Sequence, residues 1–108
     1  FLEAGKVVGA ICDAAHFLGA QGLLNQHRHT ANMKQVLEGE AGYQNPEGFV
    51  PEDAVRDRNL VTANGQAPYP FAREMLLAPG VSEDQVQFWY DFQTLGLKAA
   101  LAKYFPEA

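Results

Sequence analysis

The chain has 108 residues, of which 47% are hydrophobic and 11% aromatic, so it can form one packed domain and is not a disordered segment. Its 8 basic and 13 acidic residues give a formal net charge of −5, which argues against nonspecific binding to nucleic acid or an anionic membrane. A single cysteine excludes an intramolecular disulfide and fits a cytoplasmic location, and no apolar stretch approaches the roughly 18 residues that a membrane span needs.

The first predicted element is a buried parallel strand over residues 6–11, an apolar run rich in β-branched side chains. The run stops at Cys12, and small residues then begin a helix that we expect to extend to about Leu24. Residues 1–5 are typical of the last turn of a helix, with Gly5 as its left-handed cap. Since there is also no initiator methionine, we expect the chain to be the C-terminal piece of something longer.

Cys12 is the candidate reactive centre. A sharp strand-to-helix turn leaves little room beside a nucleophile, and the small residues Ala10 and Ala14 lie two positions before and after it. The start of a helix favours a thiolate over a thiol, and the backbone N–H of Asp13 points where an oxyanion could lie. The alternative is a small buried hydrophobe, because free cysteine is among the most buried residue types.

The three histidines give weaker indications. His16 lies one turn after Cys12, and we expect it to point along the flank of the helix. His27 and His29 alternate on one face of a short strand predicted for residues 28–31, a spacing that invites a metal interpretation. No third ligand is evident, so solvated histidines are favoured and no metal is expected.

Turn and capping residues divide the rest of the chain into a short helix, a loop, a hairpin and two further helices. The short helix is predicted for residues 31–37 with Asn32 as its N-cap, the loop for residues 38–53 and the hairpin for residues 54–65. The next helix is predicted for residues 71–77 with Pro70 in its first turn. The last helix is predicted from residue 82 to about residue 104, and it begins with a capping box of Ser82 and Gln85. Apolar residues occupy more than one face of the last helix. It is therefore expected to pack on its own sheet and on a second surface, which a partner subunit could supply.

Three stretches resemble the ThiJ/PfpI superfamily of class I glutamine amidotransferase-like proteins, and they occur in the right order. They are residues 9–14, residues 30–32, and residues 57–68 followed by 71–74. The resemblance implies a flavodoxin-like three-layer α/β sandwich with a mostly parallel sheet, of which residues 1–108 form the C-terminal portion. It also implies a homodimer, a small-molecule substrate, and an N-terminal half carrying a glutamate that hydrogen-bonds the cysteine.

The chain departs from the family pattern at two positions. Hydrolase-like members often have histidine directly after the cysteine, where this chain has Asp13. Redox-type members have histidine at the position that aligns with Asn32, so no imidazole occupies either place. No phosphate-cradling glycine loop is present, and we expect no cofactor.

Three functions stay open at this point. The first is a cysteine-dependent, hydrolase- or lyase-like enzyme that acts on a small carbonyl or amide compound through a covalent adduct. In it Cys12 is the nucleophile, the Asp13 N–H donates to an oxyanion, and Asn32 orients substrate or water. The second is a redox-sensing or chaperone-like stress protein in which Cys12 is oxidised to a sulfinate. The third is a family scaffold without chemistry. Glutamine amidotransfer and proteolysis are disfavoured, because each depends on a histidine that is not evident here.

Overall fold

The computed structural model describes residues 4–106, so the helical turn predicted before Gly5 lies largely outside the described residues. Its elements are β1 (Val8–Ile11), α1 (Asp13–Ala20), α2 (Lys34–Glu38), a 3-10 turn (Pro46–Gly48), β2 (Ala54–Asp57), β3 (Leu60–Ala63), α3 (Pro68–Leu77), α4 (Glu83–Leu95) and α5 (Leu97–Tyr104). Gly5 adopts a φ of +76°, the left-handed conformation predicted for it. Within residues 4–106, no helix combines the length and apolar character needed to cross a membrane.

The three strands form one mixed sheet in the order β1-β3-β2. β1 runs parallel to the central β3, and β2 runs antiparallel to it. All four residues of β3 are buried, as expected for a strand that is covered on both faces. Arg58 and Asn59 connect β2 to β3, and Arg58 turns the chain with a φ of +57°. The predicted hairpin is confirmed.

Helices cover both faces of this sheet. Successive residues of a strand point to opposite faces. On one face Gly9 lies against α3, where an added Cβ would be 2.4 Å from Met75 Sδ. On the other face Ala10 joins a core cluster with Ala15 of α1 and Leu37 of α2. The predicted three-layer α/β arrangement is confirmed, with α1 and α2 on one side of the sheet and α3 on the other.

Two predicted elements are shorter than expected. α1 ends at Ala20 and not near Leu24, because the chain turns at Gly22 with a φ of +79°. The strand predicted for residues 28–31 does not form. In its place His29 makes one isolated parallel bridge to Phe49.

The start of α2 also differs from the prediction. Its N-cap is Met33, and no side chain caps the helix. The placing of Asn32 as N-cap is therefore wrong. The reason is that the Asn32 side chain is already bonded elsewhere, to Cys12 and Gly65.

The predicted last helix is two helices. Gly96, with a φ of +88°, ends α4 and separates it from α5. The capping box is wrong as well, because Ser82 is the N-cap of α4 but its side chain makes no capping hydrogen bond. α4 packs mainly on α3 and α5, whereas the prediction placed it against the sheet.

Asp91 of α4 holds α5 in place. Its buried carboxylate accepts hydrogen bonds from Lys103 Nζ at 2.7 Å, from the Tyr104 hydroxyl, and from Gln87 Nε2 at 3.0 Å. These bonds, led by that from Lys103, lower the pKa of Asp91 below its usual value. Around this contact large apolar side chains stay 37–56% exposed, namely Phe92, Leu95, Leu97, Leu101 and Phe105.

Candidate functional site

Cys12 lies in the sharp turn between β1 and α1. Its φ of +61° and ψ of −127° are rare for a residue with a side chain, and such a conformation costs roughly 1–3 kcal/mol. Two hydrogen bonds of 3.0 Å hold the turn, one from Cys12 N to Ala63 O and one from Ala15 N to Cys12 O. The predicted strand-to-helix turn at the cysteine is confirmed, and it has the form of a nucleophile elbow.

Asn32 connects the thiol to the loop after β3. Its Nδ2 donates to Cys12 Sγ at 3.2 Å, and its Oδ1 accepts the Gly65 N–H at 2.7 Å. A backbone N–H can only donate, so the amide oxygen must face Gly65 and the NH₂ group must face the sulfur. The orientation of Asn32 is therefore fixed. A fixed donor of this kind stabilises negative charge on sulfur more than it stabilises the neutral thiol.

Gly65 makes this close approach possible. A Cβ on Gly65 would lie 3.0 Å from Cys12 Sγ and 3.4 Å from Asn32 Oδ1, so a side chain there would crowd both groups. The sequence indicated Gly65 only as a glycine in the loop after a strand. Its contact with the sulfur depends on the packing of three segments that are distant in the sequence.

The segment that carries Asn32 is anchored against β3. Thr30 N donates to Thr62 Oγ1 at 2.9 Å, and both threonines are buried. Ala31 is buried in the core cluster beside them. Asn32 follows directly, and so its side chain reaches Cys12 at the carboxyl end of β1. The structure thus places Asn32 next to the cysteine, although the segment is not a strand.

Asp13 is the first residue of α1, and its side chain is exposed. The first N–H groups of a helix have no partner within the helix. The Asp13 N–H therefore lies directly after Cys12 at the positive end of the helix dipole, where an oxyanion is stabilised. The Asp13 side chain lines a cavity between α1 and α2.

A polar cavity of about 520 Å³ is lined by Asn32, Asn64, Gly65 and Gln66, of which Asn32 and Gly65 are also close to Cys12 Sγ. The loop beside it is ordered by its own hydrogen bonds. Asn64 Nδ2 donates to Asp53 Oδ1 at 3.0 Å, and Asn64 Oδ1 accepts from Gln66 N at 2.9 Å. A small ligand in this cavity would meet amide groups, which donate and accept hydrogen bonds without carrying charge.

None of the three histidines contacts Cys12 Sγ in any interaction that the structure shows. His16 Nε2 is 2.9 Å from Glu40 Oε1, as fits a position on the flank of α1. His27 Nδ1 is 3.2 Å from a guanidinium nitrogen of Arg58. In the described part of the chain, no group of three or more His, Cys, Asp or Glu side chains is arranged to hold a metal ion.

His29 is not solvated, contrary to the prediction, because its side chain is completely buried. Nδ1 lies 2.8 Å from His27 O and must donate to it, since a carbonyl only accepts. The Tyr43 hydroxyl then has two acceptors within hydrogen-bonding distance, Nε2 of the neutral ring at 2.6 Å and Asn45 O at 2.9 Å. Burial is the main cause that lowers the pKa of His29, and burial raises the pKa of Tyr43.

Comparison with known proteins shows to which family the chain belongs. Residues 1–78 match the DJ-1/PfpI family. The chain belongs to that family. The resemblance to ThiJ/PfpI proteins predicted from the sequence is confirmed.

Two curated relatives come from Bacillus subtilis (strain 168). "Uncharacterized protease YdeA" is 46% identical over 69 residues, which are 64% of this chain and 35% of that protein. "Uncharacterized protease YoaZ" is 37% identical over 91 residues, which are 82% of this chain and 43% of that protein. The chain therefore spans less than half the length of each of these relatives.

Two solved structures are similar as well. The ThiJ/PfpI family protein from Bacillus anthracis has a TM-score of 0.85 and 31% identity over 93% of this chain and 48% of that one. The DJ-1 superfamily protein Atu0886 from Agrobacterium tumefaciens has a TM-score of 0.81 and 30% identity over 88% of this chain and 51% of that one. These neighbours confirm the flavodoxin-like α/β fold.

Proposed function

We propose that the site around Cys12 acts on a small carbonyl or amide compound through a covalent adduct on the sulfur. One observation carries the proposal. The Cys12 thiol sits on a strained strand-to-helix turn and receives an N–H from Asn32, whose orientation Gly65 fixes. A cysteine that only fills the core needs neither the strain nor the donor. Both features are typical of a thiol that must be presented in one orientation.

The adduct forms by a balanced addition. The thiolate of Cys12 forms a bond to the carbonyl carbon, and the π electron pair moves to the oxygen. The Asp13 N–H stabilises this oxyanion until it takes a proton from water, while the thiol proton leaves to solvent. With an aldehyde the product is a hemithioacetal. With an amide the C=O bond re-forms from the oxyanion before that oxygen is protonated, and the C–N bond breaks as the nitrogen takes a proton from water. The amine leaves, and water hydrolyses the thioester that remains on Cys12 to a carboxylic acid. Asn32 orients thiol and substrate, since an amide is not a general base.

The two Bacillus relatives are named as proteases, but the geometry here favours carbonyl addition over peptide cleavage. Hydrolysis of an amide requires a group that protonates the leaving amine and another that activates water. The side chain bonded to the sulfur is the amide of Asn32, and His16 is bonded to Glu40. Addition to an aldehyde requires neither group.

The same thiol also supports a second candidate, the sensing of peroxides. Cys12 is only partly buried, and its sulfur is close to Asn32 and Gly65, which line the polar cavity. A thiolate can take one oxygen atom from each of two peroxide molecules, which are reduced to water or alcohol, and become a sulfinate. The N–H groups of Asn32 and of the first turn of α1 would bind the sulfinate oxygens.

Labelling by iodoacetamide, followed as intact mass, tests these proposals. A small aldehyde such as acetaldehyde should be consumed or should protect Cys12 from labelling, and Cys12→Ala should abolish both effects. Asn32→Ala should slow labelling by about tenfold, since a hydrogen bond to a charged group is worth roughly 1.5 kcal/mol. The control Gln93→Ala, on the exposed side of α4, should label like the wild type.

The outcomes separate the candidates. If neither aldehydes nor simple amides are consumed or protect Cys12, the carbonyl proposal is refuted. A mass gain of two oxygen atoms on Cys12 after mild peroxide supports the sensing role. A folded protein that is inert to iodoacetamide and to peroxide refutes both.

A further inference from the structure

A second cavity lies on the other side of Asn32, between α1 and α2. It has a volume of about 310 Å³ and is lined by Asp13, His16, Ala31, Asn32, Met33 and Val36. Asn32 also lines the polar cavity beside Gly65, and its Nδ2 is 3.2 Å from Cys12 Sγ. The two cavities therefore meet at the residue that holds the thiol.

The walls of this second cavity are mostly apolar. Met33 and Val36 lie three positions apart at the start of α2, so their side chains share one side of it. They are 55% and 49% exposed, although Ala31 behind them is buried in the core. A ligand that covered these two side chains would gain from the removal of apolar surface.

The titratable side chains that line the cavity, Asp13 and His16, both belong to α1. Asp13 contributes a carboxylate to the lining, and His16, which also lines the cavity, lies 2.9 Å from Glu40 Oε1. An anionic ligand group would be repelled there, while a neutral alkyl group would not. The cavity thus discriminates by charge as well as by polarity.

We propose that this cavity binds the uncharged apolar substituent of the compound whose carbonyl carbon bonds to Cys12. The inference rests on the proposed function and names its substrate class. The preferred substrates are aliphatic aldehydes or amides with a short neutral alkyl chain. Carbonyl compounds that bear a carboxylate next to the reacting carbon are disfavoured. Val36 and Met33 are the residues that determine this specificity.

Alkylation of Cys12 by three matched reagents tests the cavity. Chloroacetamide, N-butyl chloroacetamide and N-carboxymethyl chloroacetamide each form a C–S bond and release chloride. Each rate is divided by the rate of the same reagent with glutathione, which removes differences in intrinsic reactivity. The N-butyl reagent should then exceed chloroacetamide by about fivefold in the wild type, as expected for partial burial of a few methylene groups. The carboxylate reagent should be the slowest.

Variants then assign the preference to this cavity. Val36→Ser and Met33→Thr should each reduce the N-butyl preference, measured relative to chloroacetamide in the same variant, to about twofold or less. Both side chains are half exposed, so the fold should tolerate the changes. The control Val81→Ser, in the turn between α3 and α4, should retain the full preference.

Equal normalised rates for all three reagents in the wild type would overturn the inference, and so would a preference that survives in both cavity variants. Neither result would affect the proposed function if aldehydes still protect Cys12. Conversely, an N-butyl preference without any aldehyde or amide reaction would refute the proposed function and leave an alkyl-binding cavity beside the thiol.

Discussion

Replacement of Cys12 by glycine should relieve strain in the turn. At most positions Ala→Gly destabilises a protein by about 0.5–1 kcal/mol, because the unfolded chain gains freedom. At residue 12, with its φ of +61° and ψ of −127°, glycine also relieves roughly 1–3 kcal/mol of strain. The difference between these two effects centres on about 1 kcal/mol in favour of glycine. We therefore predict that Cys12→Gly is more stable than Cys12→Ala, the reverse of the usual order.

The two variants form a clean comparison, since both lack the sulfur and its hydrogen bond from Asn32. Urea denaturation followed by circular dichroism at pH 7 gives the free energy of unfolding of each. The control is Ala14→Gly, at an exposed position in the first turn of α1, which should destabilise by about 1 kcal/mol in the usual direction. A Cys12→Ala variant that is as stable as Cys12→Gly, or more stable, would refute the strain argument.

Three further predictions concern the surroundings of the site. Burial lowers the pKa of His29 in the folded protein, whereas an unfolded histidine takes up a proton near pH 6.5. As the pH falls below 6.5, protons bind to the unfolded chain in preference, and the unfolding free energy of the wild type decreases. Between about pH 7.0 and 5.5 the unfolding free energy of the wild type should therefore fall, and this loss should be largely absent in His29→Gln. Gly42→Ala should destabilise by about 1–3 kcal/mol, because its Cβ would lie 2.2 Å from Ala20 O. Gly39→Ala, with no atom nearer than 3.4 Å, should be neutral or stabilising by up to about 1 kcal/mol in the same urea assay. Asp91→Ala should speed proteolytic cleavage in α5. Because the folded pKa of Asp91 lies below its usual value of 3.8, α5 of the wild type should be cleaved as fast as in the variant only at a pH below that value. Equal cleavage of both proteins at neutral pH would count against the contact between Asp91 and α5.

Features that depend on neighbouring residues were predictable from the sequence. The apolar run that stops at Cys12 indicated the strand-to-helix turn, because small residues on both sides leave room for it. The hairpin of β2 and β3 followed from two β-rich stretches around a polar turn. The order of the strands and the layers required the family resemblance as well, since one parallel pair does not specify a sheet.

Two of the failures, at Asn32 and His29, share one physical cause, the preference of a side chain for a partner far away in the sequence. Asn32 is a good N-cap by residue type, but the Gly65 N–H and Cys12 Sγ compete for its amide and prevail. His29 stands among polar residues, and its buried partner Tyr43 is fourteen positions away. Gly96 breaks the last helix although the apolar pattern continues through it. A single glycine lowers helix stability by only about 1 kcal/mol, so the sequence alone does not decide between a tolerated glycine and a break.

The departure from the family pattern at Asn32 has a chemical consequence. A neutral imidazole has one donor and one acceptor nitrogen, so histidine could make the same connection, with a donor on the sulfur and an acceptor for the Gly65 N–H. It would also take up a proton between pH 5 and 8 and then lose that acceptor. An amide makes both bonds and does not titrate. The bonds that join Cys12, Asn32 and Gly65 therefore keep one pattern across this pH range, and Asn32 itself supplies no base. For the proposed addition to a carbonyl, this means that the orientation of the thiol should not depend on the protonation of residue 32.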